Sequence, residues 1–162
     1  MRKIIRIDSK LNHVVKGKQL EGVQKQYNLN ELFEVVLSDK LTAKLGVTEL
    51  MLHDSVASLY NWSNYYLYNS IVPFCGRPIT ISGGIKTINE GHQLLKKCER
   101  ICLNTILHEN IGLITQLSSV VGAQSVSVEL QVLKYNGSYL LLTNNGKIQS
   151  VFSYKEFLEK LK

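Results

Sequence analysis

The chain is 162 residues long, 44% apolar, and carries a formal net charge of +6. That length and composition describe one globular domain over residues 1–162 and exclude an intrinsically disordered chain. No apolar run is long enough to span a membrane, and Met1-Arg2-Lys3 is followed by no apolar signal region, so a cytoplasmic protein without a membrane partner is expected. The basic residues are scattered without aromatic interleaving, which argues against nucleic acid and leaves a phosphorylated small molecule as a fitting ligand.

In chain order, Ile4-Ile5-Arg6-Ile7 predicts a strand over 3–8 that ends at Asp8-Ser9. Lys16 follows a short turn in Val14-Val15-Lys16-Gly17 and can either reach back over the strand end to an anion or stand solvated. Asn28-Leu29-Asn30-Glu31 offers caps ahead of Leu32, Phe33, Val36 and Leu37, predicting a helix over 31–45 closed by Gly46. A strand over 48–54 ends at Asp54-Ser55, and a helix over 60–71 carries the aromatic run Trp62, Tyr65, Tyr66 and Tyr68 as a packing face. The strand over 78–82 leads into Ser82-Gly83-Gly84. Thr87-Ile88-Asn89-Glu90 then has the capping-box spacing that opens a helix over 88–98. A strand over 99–103 ends at Asn104-Thr105, a helix over 109–121 is closed by Gly122, and a fifth strand is predicted over 125–132. The turns at Tyr135-Asn136-Gly137-Ser138 and Asn144-Asn145-Gly146 predict a small β-excursion before a last helix over 153–161.

Strands alternating with helices of ten or so residues require parallel βαβ units. The fold class is therefore α/β: about five parallel strands with outer helices, a partial (half) barrel of the TIM type. In such barrels the loops after the strands carry the chemistry. A complete eight-unit barrel typically needs about 250 residues, more than are present.

Four groups stand at those loops. Asp8 and Asp54 end neighbouring strands and can divide acid and base roles in one mouth, or each can cap its own turn. Ser82-Gly83-Gly84 before a helix is a generic phosphate signal, and Asn104-Thr105 repeats the arrangement one unit later. His13, His53, His92 and His108 are dispersed without metal-ligand spacing, and His53 points away from Asp54's face. Cys75, Cys98 and Cys102 are odd in number and read as reduced thiols, so neither a metal nor a cofactor is expected.

Taken in order, Ile7-Asp8-Ser9-Lys10, Val14-Val15-Lys16-Gly17, Gly46-Val47-Thr48-Glu49-Leu50, Asp54-Ser55-Val56-Ala57-Ser58, Pro78 to Ile85, Leu103-Asn104-Thr105 and Gly122 to Val126 resemble the HisF family, the cyclase subunits of imidazole glycerol phosphate synthase. The likeness covers nearly the whole chain and about the first five-eighths of the family's barrel. The resemblance implies that Asp8 is a catalytic carboxylate and Lys16 the lysine of the active-site loop. It implies that Gly83, Gly84 and Asn104 line a phosphate site, and Thr105, next to Asn104 on the same rim, is read as phosphate-binding with them. Arg2, Glu49 and Arg100 match three of the four charges ringing the barrel bottom, where ammonia enters from a HisH-like glutaminase subunit; Arg100 replaces a lysine. The second catalytic carboxylate falls on Gln131, which cannot act as an acid or base near neutral pH. Glu129 lies one layer deeper on that face, where it could compensate or pair with a cation.

Two functions follow as expectations. One is a lyase of histidine biosynthesis that takes a phosphorylated ribotide or sugar and uses ammonia from the glutaminase. The other is a non-catalytic phosphate-binding scaffold or ammonia-channel subunit in a surface-polysaccharide amidotransferase system. Both require the exposed sheet edges near 3–8 and 125–132 to be met by a homo-oligomer or a second chain that completes the barrel.

Overall fold

The computed structural model describes residues 2–10, 13–18, 22–28, 31, 43–60 and 65–161. Its main sheet has seven strands: β1 (Ile4–Lys10), β2 (His13–Lys18), β3 (Gly22–Tyr27), β4 (Glu49–Asp54), β5 (Ile79–Ser82), β6 (Arg100–Leu103) and β7 (Val126–Val128). Their spatial order is β3-β2-β1-β4-β5-β6-β7. The run β1-β4-β5-β6-β7 is parallel throughout, which supplies the five expected barrel strands.

Side-chain alternation splits this sheet into two unlike faces. Ile7, Leu50, Leu52, Ile79, Ile81, Ile101 and Leu103 point to one face, and each is at most 5% exposed. They form one core with Leu67, Tyr68 and Ile71 of α2 (Tyr65–Ile71), Leu94 of α3 (Ile88–Leu95), and Leu113 and Leu117 of α5 (Gly112–Val121). The intervening residues Ile4, Arg6, Glu49, Met51, Thr80, Arg100 and Cys102 line an open groove on the other face. That groove is the concave side of a barrel segment, with the helices outside.

The helix starts follow their local chemistry. Thr87 accepts from the Glu90 amide while the Glu90 carboxylate accepts from the Thr87 amide, so the expected capping box opens α3. Ser153 and Glu156 do the same for α6 (Tyr154–Lys160). Two shorter helices, α1 (Ala57–Tyr60) and α4 (Thr105–Glu109), follow β4 and β6.

Several boundaries differ from the sequence expectation. The chain after Asp8 forms the β2–β3 hairpin, which extends the sheet antiparallel to β1 through Asp8↔Val15, Ser9↔Val14 and Lys10↔His13. The edge at β1 is therefore partly covered, whereas Ile4–Ile7 have no β2 partner among the described residues. The expected strand over 125–132 is two strands in two sheets. β7 stops at Val128, and β8 (Gln131–Tyr135) pairs with β9 (Ser138–Thr143), which pairs with β10 (Ile148–Gln149). The helix over 109–121 is broken at Asn110 (φ −140°), which separates α4 from α5. Residues 32–42 and 61–64, with most of the helix over 31–45 and part of the aromatic run, lie outside the described residues.

Candidate functional site

The C-terminal ends of β4, β5 and β6 open into one pocket. Its wall includes Asp54, Ser55, Gly83, Gly84, Asn104, Thr105, Gln131 and Asn145. Four of the expected ligand residues, Gly83, Gly84, Asn104 and Thr105, are thus brought together. Gly83 (φ +107°) and Gly84 (φ +73°) turn the chain in a conformation that side chains resist. A Cβ on Gly83 would lie 2.5 Å from the Asp54 carbonyl oxygen, so the close approach of β4 also requires glycine there.

Asp54 is 2% exposed. Its Oδ1 accepts from the Val56 amide at 3.0 Å, the turn-capping arrangement, while Oδ2 is buried without a partner. Burial pushes its carboxyl up to about 6, against the pull of the Val56 and Ala57 amides. Asn104 Oδ1 and Gln131 Oε1 are likewise buried without a hydrogen bond. The wall is polar, and among the described residues it holds no lysine or arginine.

Asp8 and Asp54 are not brought into one mouth. Asp8 is in register with His53, and Ser9 with Asp54, so the two carboxylates project to opposite faces of the sheet. Asp8 Oδ1 accepts from Arg6 Nε at 2.7 Å. Arg6 Nη1 also reaches Glu129 Oε1 at 3.3 Å, and Glu129 Oε2 lies 3.4 Å from His53 Nδ1 and accepts from Ser82 Oγ at 3.2 Å. Burial lowers the His53 pKa; Glu129 and Asp8 work against that, and Arg6 adds to it. Glu129 is therefore paired with a cation. Lys16 is exposed on β2, and it is Val15, not Lys16, that stands in register with Asp8. Gln131 does not end the fifth parallel strand; it opens β8, yet its side-chain oxygen is buried on the pocket wall.

At the opposite end of the same face, Arg2, Glu49 and Arg100 meet as one cluster. Glu49 Oε1 accepts from Arg100 Nη1 at 2.5 Å and from Thr80 Oγ1 at 2.7 Å, and Oε2 from Arg2. Burial pulls the Glu49 carboxyl upward, but the Thr80 hydroxyl and the two guanidiniums outweigh it and hold it below the usual carboxylate range.

Sequence reasoning missed Asn145 and Ser58. Asn145 (φ +61°) sits in the β9–β10 turn, and its neighbour Asn144 donates its amide to Thr105 Oγ1 at 3.2 Å, which ties the excursion to the pocket. The Asn-Asn-Gly run marks a turn but not the element that turn meets. His108, in α4, packs on the excursion side: it stacks on Phe157 with ring centroids 4.3 Å apart, and Nδ1 lies 2.7 Å from Ser150 Oγ.

Comparison with known proteins adds a family. The sequence profile described as "Histidine biosynthesis protein" matches residues 4–162. A protein of Legionella pneumophila named imidazole glycerol phosphate synthase subunit HisF is 31% identical over 153 residues, covering 91% of this chain and 68% of that protein. A HisF subunit of Thermotoga sp. (strain RQ2) is 28% identical over 143 residues, covering 87% of this chain and 54% of that protein. The chain thus spans between about half and two thirds of the length of these relatives.

Proposed function

The chain belongs to the histidine biosynthesis protein family, and from that premise we propose that it forms the phosphate-binding part of a HisF-type cyclase. The observation that carries the reading is the convergence of Gly83, Gly84, Asn104 and Thr105 on one pocket at the strand C-termini, where barrel enzymes hold their ligands. Glycines without side chains let a phosphate approach the main chain, and the Asn104 and Thr105 side chains add polar partners. In this reading Asp8 is the general acid or base. Lys16 meets the substrate anion. The Arg2–Glu49–Arg100 cluster forms the face toward a HisH-like glutaminase that supplies ammonia. A second copy or a second chain completes the barrel.

One observation favours the non-catalytic scaffold as a second reading. Gln131 puts an amide on the pocket wall where the family resemblance places a carboxylate, and Glu129 is held by Arg6 and His53. The two readings separate in one assay. The chain is mixed with a glutaminase partner, ammonia and the cyclase's ribonucleotide substrate. Turnover that is lost in Asp8→Asn supports the enzyme; phosphate binding without turnover supports the scaffold, and absence of both removes the phosphate reading.

A further inference from the structure

Asp54 is the one carboxyl in a pocket whose described wall has no lysine or arginine. A doubly charged phosphate in that pocket would lie against Asp54, and two like charges in a buried site repel strongly. The geometry offers a way out. Oδ1 is already occupied by the Val56 amide at 3.0 Å, so the negative end of the group has its donor. Oδ2, buried and unpartnered in a side chain 98% enclosed, is the position at which a proton would complete the hydrogen-bond set. Asp54 also abuts the Gly83 turn, where an added Cβ would lie 3.1 Å from Asp54 Cβ.

We propose that Asp54 binds the ligand's phosphate as a neutral carboxylic acid, with Oδ1 kept on the Val56 amide and Oδ2–H donated to a phosphate oxygen. The proposal rests on the phosphate reading of this pocket and deepens it: the site takes a dianionic phosphate together with one proton from solvent. The carboxyl's upward displacement by burial, to about 6, makes that proton accessible near neutral pH.

Among the described residues, the other titratable groups near Asp54 are few. His53 and Cys102 line the pocket. On β1, Asp8 and Lys10 flank Ser9, the residue in register with Asp54, and alternation sends both to the opposite face. Helix α1 carries only the exposed Tyr60, and the turn after Gly84 carries Lys86. Of these, only His53 could take up a proton in the same pH range and mimic the effect.

Sulfate is the probe, because it remains a dianion throughout the range and its own titration contributes nothing. Calorimetric titration of the chain is run between about pH 5 and pH 8, in two buffers of different ionisation enthalpy. The expected result is affinity that falls about tenfold for each pH unit above about 6, with close to one proton taken up per sulfate near pH 7. Asp54→Asn keeps an acceptor for the Val56 amide and an N–H for the anion, so its binding is pH-independent and takes up no proton, while His53→Gln retains the uptake. Wild-type binding without proton uptake would overturn the proposal and leave the phosphate reading standing. So would uptake that survives in Asp54→Asn and vanishes in His53→Gln. Absence of sulfate binding at every pH in both the wild type and Asp54→Asn removes the phosphate reading itself. Where Asp54→Asn fails to fold, wild-type binding without proton uptake still overturns the proposal, and His53→Gln shows whether any uptake belongs to His53 instead.

Discussion

Glu49 and Asp54 stand at opposite ends of β4 and respond to pH in opposite directions. Glu49 is held below its ordinary value of 4.5, so the folded chain binds its proton less readily than the unfolded chain. Its contribution to stability is full above about pH 4.5 and is lost as pH falls through its lowered folded value. Asp54 is raised from 3.8 to about 6, so the folded chain prefers it protonated. The stability associated with that proton is full below about pH 4 and is given up as pH rises to about 6, a loss of at most about 3 kcal/mol. Asp54→Asn, which keeps the turn acceptor, should therefore unfold at higher urea than wild type at pH 7, and at nearly the same urea at pH 4. Glu49→Gln should do the reverse at pH 7, losing about 2 kcal/mol as Arg2 and Arg100 are left without a counter-charge. The loss is moderate because the Arg2 side chain is 61% exposed and well solvated. Urea midpoints of both variants at the two pH values check the signs. At this scale the sequence was a good guide wherever a residue's role follows from its own backbone. Gly83 and Gly84 were legible as a turn at a strand end, and Asn104 and Thr105 as polar residues at the end of the next strand. The separation of Asp8 from Asp54 was not, because it depends on a one-residue register between β1 and β4 that neither strand specifies alone.

Among the elements, α3 and α5 meet through a glycine that local propensity disfavours. Gly91 lies inside α3, where alanine would be favoured by about 1 kcal/mol in an isolated helix. Its Cβ would fall 2.8 Å from Leu117 Cδ2 of α5 and 3.1 Å from Ile101 Cδ1 of β6, both fully buried. Crowding a packed core costs about 1–3 kcal/mol, so it outweighs the propensity gain. Gly91→Ala should lower the urea midpoint, and pairing it with Leu117→Val should recover part of the loss; equal or higher stability of the single variant would show that α3 can shift freely on the sheet. The element boundaries read from sequence succeed and fail for physical reasons. The Thr87–Glu90 capping box and the two Asn-containing turns are short-range chemistry and were legible, whereas the Ser153–Glu156 box emerged only with the structure. The division of 125–132 was not, since alternation runs on through Val126, Val128, Leu130 and Val132 while the chain changes sheets at Glu129-Leu130. The β2–β3 hairpin was hidden for a related reason: Gly22-Val23-Gln24-Lys25-Gln26-Tyr27 has little apolar patterning and is defined by its ladder to β2.

For the molecule as a whole, the parallel sheet remains open. On the side away from β6, β7 has no partner strand among the described residues, and Ile4–Ile7 of β1 have none on the side toward β2. Between these edges runs the concave groove, with Ile4 (51% exposed), Met51 and Val128 set among Arg2, Arg6, Glu49, Arg100 and Glu129. Five parallel strands cannot close a barrel that ordinarily takes eight, so the unpaired N–H and C=O groups and the apolar floor persist in this chain unless further strands cover them. A net charge of +6 opposes association only weakly at physiological ionic strength, because screening acts within about 8 Å while backbone pairing and apolar burial act at contact. We therefore expect the purified chain to self-associate through this face. Ile4 tests that route, since it is exposed on the groove and contributes little to the core behind the sheet. Ile4→Lys adds a third cation beside Arg2 and Arg6 and should shift the population toward monomer. Its unfolding at high dilution should match the wild type at the same dilution. Sedimentation velocity across a concentration series reads the first outcome, and urea unfolding of both proteins at high dilution reads the second. A compact wild-type monomer throughout the series would mean that the open face is stable in water by itself, and the expectation that a partner chain completes the barrel would fail with it.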